Sequence, residues 1–151
     1  MRDRREEILA RLETIIAEVP GVVKTARNIE DVSGGIASRP AIILHDTVEE
    51  PSIESRRPRG ATKELMILKP QIFILWGDRA SLVATKVNEV RRSLVNLIWT
   101  DSILKDIVGS STDADILYRG CGLDTFSGET REAKMLVNFE FIYLLDAKEL
   151  V

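Results

Sequence analysis

From Met135 to Tyr143 every second residue is large and apolar: Met135, Val137, Phe139, Phe141 and Tyr143. Period two is the spacing of one face of a β-strand, so this segment requires a sheet with one face buried beneath other elements. Two helical stripes elsewhere can supply that cover. Ile8, Leu9, Leu12, Ile15, Ile16 and Val19 share one face of a helix predicted over Arg2 to Val19, which Pro20 and Gly21 terminate. Val83, Val87, Val90, Leu94 and Leu97 do the same for a second helix over Arg79 to Trp99, with Arg91 and Arg92 off the stripe. Asp101 is placed to cap a short helical turn ending at Val108, before a loop at Gly109, Ser110, Ser111 and Thr112.

The remaining strands follow from apolar runs and their punctuation. Val22 to Asn28 reads as extended, and Ser33, Gly34 and Gly35 separate it from a strand at Arg39 to His45. Between Asp46 and Lys63 the chain is too charged and too poor in apolar groups to pack, so a long exposed loop is expected. It would join Arg39 to His45 and Lys63 to Trp76 as the arms of a long hairpin. Pro70 in the second arm has no N–H for a sheet ladder and points to an edge position or a bulge. A further strand is expected at Ala114 to Gly122. The order of helix, strands, helix, strands predicts an α/β (α+β) fold: a mainly antiparallel sheet with two long helices packed on one face and a long hairpin loop.

A chain of 151 residues fits one domain, residues 1–151, and buries roughly 70% of its unfolded surface without a metal or disulfide staple. The 21 Lys and Arg against 24 Asp and Glu leave a formal charge of -3, which argues against a general nucleic-acid binder. The lone Cys121 has no internal disulfide partner. Arg2, Asp3, Arg4 and Arg5 are unlike the start of a secretory signal, and no apolar run approaches the ~20 residues that cross a bilayer. A soluble cytoplasmic chain is expected.

Chemistry-bearing residues are few and scattered. His45 is the sole histidine, so a triad or histidine-rich metal site would have to be built around it; the simpler reading is a histidine at a strand end. Cys121, between Gly120 and Gly122, reads as a small hydrophobe before a reactive thiol. Gly34 and Gly35 fit no phosphate-binding motif, and Asp113 with Asp115 lacks the ligand spacing of a calcium loop and reads as a capped turn. No cofactor or metal is expected. Arg56, Arg57 and Arg59, downstream of Glu49, Glu50 and Glu54, form the most informative polar cluster; it is either a solvated loop or a contact with a protein partner.

Taken together, the pattern resembles the phage tail terminator family, also described as minor tail protein U-like. The residues that carry the resemblance begin with the first helix closing in Val19-Pro20-Gly21-Val22-Val23, the Arg27-Asn28 pair, and Arg39-Pro40-Ala41-Ile42-Ile43-Leu44 leading to Asp46 and the polar loop. They continue with the helix through Asn88 to Leu97, the turn Asp101-Ser102-Ile103-Leu104, and the alternating strand Val137 to Tyr143. The match runs in order over nearly the whole chain. The resemblance implies a non-enzymatic virion structural subunit that forms a homo-oligomeric ring, usually a hexamer, on the head-proximal end of the tail tube. Such a ring stops tube polymerisation and offers a surface to head connector or adaptor proteins, while DNA passes its lumen without specific binding. Arg56, Arg57 and Arg59 would then reach a neighbouring subunit or the tube. The implied location is the virion tail, after assembly in the host cytoplasm and without a membrane. Two readings compete: another head-tail joining or tail-completion (neck) protein, and a small enzyme using His45.

Overall fold

The computed structural model describes residues 1–29, 39–52, 60–78, 83–126 and 131–151. Helix α1 spans Arg4–Glu18 and begins where the Asp3 carboxylate accepts the Glu6 N–H, satisfying one of the donors that a helix start leaves unpaired. Strands β1 (Lys24–Arg27), β2 (Ala41–Pro51) and β3 (Lys63–Asp78) follow, then α2 (Val83–Thr100) and α3 (Ser102–Val108). Asp101 caps α3 by accepting the Leu104 N–H at 2.9 Å, as its position in the sequence predicts. Strands β4 (Asp115–Phe126) and β5 (Arg131–Asp146) complete the sheet, and a 3-10 turn at Ala147–Leu150 ends the chain.

The five strands lie in the order β1-β2-β3-β5-β4. Among the described strands three pairings are antiparallel and β1 with β2 is parallel, so the sheet is mainly antiparallel as expected. Its rungs run straight across. Lys24, Ala41, Leu75, Lys134 and Asp124 form one row, and Arg27, Leu44, Ile72, Val137 and Cys121 form another.

The described helices α1, α2 and α3 pack on one face. Ile8, Leu12, Ile15 and Ile16 of α1, Val87, Leu94 and Ile98 of α2, and Leu104 of α3 meet Ile42, Leu44, Leu68, Ile72 and Ile74 there. The alternating residues of β5, Met135 to Tyr143, supply the centre of this core and are almost wholly buried. Burial of such side chains is worth about 1.5–3 kcal/mol each, which explains why the period-two signal fixes this strand's orientation.

Three expectations need correction. The stretch after His45 is not loop at its start, because β2 continues to Pro51 and pairs with β3 as far as Met66. The charged residues Glu49 and Glu50 sit in the strand because each finds a partner far along the chain: Glu49 the Tyr143 hydroxyl, Glu50 the Lys69 ammonium. His45 is therefore inside a strand and not at its end. Nor does Pro70 mark an edge, since β3 is central. Its irregularity reading holds, because β2 carries one extra residue between His45 and Val48, opposite Pro70, with Thr47 at φ +48°. β4 has a matching bulge between Tyr118 and Cys121, where Gly120 takes φ +96°. The two bulges and Pro70 thus lie across one level of the sheet.

Candidate functional site

Three residues that carried the resemblance, Arg27, Asn28 and Asp46, meet at the bulge in β2. Arg27 ends β1 and directs its guanidinium towards the helices, donating to both Asp46 oxygens at 2.7 and 2.8 Å. The same group reaches Glu6 at 2.9 and 3.0 Å and Glu13 at 2.8 Å, both on α1. Asn28 adopts φ +57°, which lets its side-chain oxygen accept the Asp46 N–H at 3.0 Å while its own N–H donates to the Leu44 carbonyl at 2.8 Å. The hydrogen bonds from Arg27 hold Asp46 and Glu6 below the usual carboxylate range, and those carboxylates push the Arg27 guanidinium up. With its donors directed at three carboxylates, Arg27 fastens β1, α1 and the bulge together rather than waiting for a ligand.

On the opposite face, which none of the described helices covers, the bulges frame a shallow groove of about 360 Å³ lined by Thr47, Val48, Lys69, Gln71, Asn138 and Glu140 among others. Its charges are matched in pairs: Lys69 with Glu50, and Arg119 with Glu140 at 3.0 Å. Towards one end of this face Ala41, Ile43 and Leu75 are buried in a second small cluster with Ala26 and Phe73, and the rest carries half-buried Ile67, Leu136, Ile142 and Leu144, with the Lys134 ammonium 4.4 Å from the Phe73 ring centre. Such a surface offers shape, apolar area and alternating charge, the ingredients of a protein contact. Sequence reasoning missed it because its residues come from distant strands. The available signal was the second apolar set of β3 and β5, out of phase with the core residues.

The other candidates scatter. His45 lies on the face opposite the helices, with its ring edge against Phe73 at 5.1 Å and Nε2 3.0 Å from the Ile29 carbonyl. Its neighbour Asp46 is committed to Arg27, so the two form no acid–base pair. Cys121 is exposed in β4 near the Tyr118 hydroxyl, whose pKa is raised by burial and by that thiol, against the pull of Arg91. Asp115 opens β4 and accepts the adjacent Ile116 N–H at 2.8 Å, while the turn before it is closed by the Ala114 N–H donating to the Ser111 carbonyl at 3.0 Å. Among the described residues no group of three or more His, Cys, Asp and Glu is placed to hold a metal ion, and no described helix is long and apolar enough to cross a membrane. Arg56, Arg57 and Arg59, with Glu54, Gly34 and Gly35, lie outside the described residues. No protein-family model matches this chain, and no curated protein matches it.

Proposed function

We propose that this protein is a structural phage tail terminator: a ring-forming subunit that sits on the head-proximal end of the tail tube, stops its growth and presents a surface for head attachment. The observation that carries the proposal is the sheet, closed on one face by α1, α2 and α3 and bearing on the other a groove with matched charges flanked by half-buried Ile67, Leu136, Ile142 and Leu144. A terminator works through contact surfaces: one complementary to the last tube ring, another that admits no further tube subunit. The convergence of Arg27, Asn28 and Asp46 adds support, since residues that carried the resemblance in separate segments form one structural unit. Catalysis plays no part in this proposal. DNA passes through the lumen unbound, which suits a chain of formal charge -3.

Electron microscopy of tails from phage lacking the protein tests the reading. Over-long, headless tubes are expected, and tubes of normal length would overturn it. Binding to purified tube protein separates a terminator from a neck protein, which would bind only the portal or head adaptor.

A further inference from the structure

β1 and β4 are the two outermost strands, and among the described residues no strand pairs with the outer edge of either. A run of unpaired backbone donors and acceptors is a template for another strand, and soluble proteins usually shield it. Among the described residues, only the first half of β4 is shielded. There the Trp99 indole donates to the Ile116 carbonyl at 3.2 Å and packs edge-on against Tyr118, taking one backbone acceptor of this stretch. The bulge at residues 119–120 then breaks the ladder. Beyond it Cys121 and Leu123 are exposed, and a side chain added at Gly122 would meet nothing within 4 Å.

The unshielded half of β4 matches β1 in level, direction and face. The sheet rows place Lys24 level with Asp124, Thr25 with Leu123, Ala26 with Gly122 and Arg27 with Cys121. β1 therefore stands opposite the open part of β4 and ends where the shielded part begins. Following the pairings across the sheet, β1 and β4 run in opposite directions. A second copy set alongside in the same orientation brings its β1 antiparallel to β4, the pairing with the better ladder geometry. Strand alternation puts Ala26 and Gly122 on the face opposite the helices, Thr25 and Leu123 on the helix side.

We propose that residues 121–124 of β4 are the docking edge for β1 of a second copy, so that the sheet continues from subunit to subunit. The contact is head-to-tail because the two edges differ; their common level calls for no step along the strands, and a rotation between successive copies would close the row into a ring. This inference rests on the ring-forming reading above and specifies its interface. Arg27 contributes only backbone, its side chain being held by Asp46 and α1.

Paired cysteines test it in the full chain. With Cys121→Ser, Thr25→Cys and Leu123→Cys combined, oxidation of protein assembled on tail tubes is expected to give a ladder of disulfide-linked multimers on a non-reducing gel. Each cysteine alone should give none. Dimers from Leu123→Cys alone would mean β4 meets β4 and would overturn the proposal. Rings seen on tubes by microscopy but left as monomers after oxidation would also overturn it while sparing the terminator reading; tubes bearing no ring would sink both. The unmodified protein supplies a readout independent of folding defects in the variants: maleimide labelling of Cys121 is expected to fall at least tenfold on assembly, and equal labelling of free and assembled protein would refute the edge contact.

Discussion

Arg27 shows how much structure one side chain can hold. It joins a helix, an edge strand and a bulge, and its side chain is only 21% exposed, as is that of Asp46. Arg27→Leu would leave three carboxylates facing one another, so a loss of about 2 kcal/mol is expected in urea unfolding at pH 7. Because Asp46 and Glu6 have lowered folded-state pKa values, their contribution is present above the ordinary carboxylate value near ~4 and disappears as pH falls through the folded values. The gap between wild type and Arg27→Leu should therefore narrow below about pH 4; a gap independent of pH would contradict the ion-pair account.

Glu49 runs the other way. Burial raises its pKa despite the Arg5 guanidinium 3.8 Å away, and it accepts the hydroxyl of fully buried Tyr143. A raised folded-state pKa means stability falls as pH climbs from the ordinary glutamate value through the folded one. Glu49→Gln keeps an acceptor for Tyr143 and cannot ionise. It should match wild type in acid and exceed it at neutral pH, which thermal unfolding at the two pH values would measure; a variant weaker than wild type at pH 7 would refute this.

Among the elements, α3 depends on both of its ends. Asp101 caps its start and also takes a bidentate bond from Arg11 at 2.7 and 3.0 Å, tying α3 to α1. Gly109 closes its end at φ +97° and ψ 177°, a region open in practice only to glycine. A Cβ there would stand 3.1 Å from Nη1 of Arg4, the atom that donates to the Ile107 carbonyl at 2.7 Å. Gly109→Ala should cost about 2 kcal/mol by chemical denaturation. Gly21→Ala, at φ +83° with open space around it, should cost only about 1 kcal/mol. Equal losses would mean that the Arg4 contact is irrelevant. The strands teach a different lesson. β2 continues past its apolar run because a bulge lets Glu49 and Glu50 meet partners on β5 and β3, and no local rule of charge or turn composition could reveal those partners.

For the whole molecule, stability and assembly should be separable. Phe141 is fully buried at the centre of the core, and Phe141→Ala should cost about 3–5 kcal/mol, a large share of a typical domain's total. Reversing the charges of Arg56, Arg57 and Arg59 belongs to the other category: on the proposed terminator reading a weakened docking on tail tubes is expected in a co-sedimentation assay, and unchanged docking would remove those arginines from the proposed interface. What the sequence alone determined is what repeats locally: the buried stripe of α1, Val87, Val90 and Leu94 of α2, the Asp101 cap, and the inward face of β5, each written in residues at most four positions apart. Only the tertiary structure decided what joins distant segments: the parallel seat of β1, the Arg27–Asp46 clasp, the bulges aligned across the sheet, and the level match between its two edges. The physical reason is that periodicity records which side of an element must avoid water, whereas pairing order and register emerge only when all the elements compete for the same core.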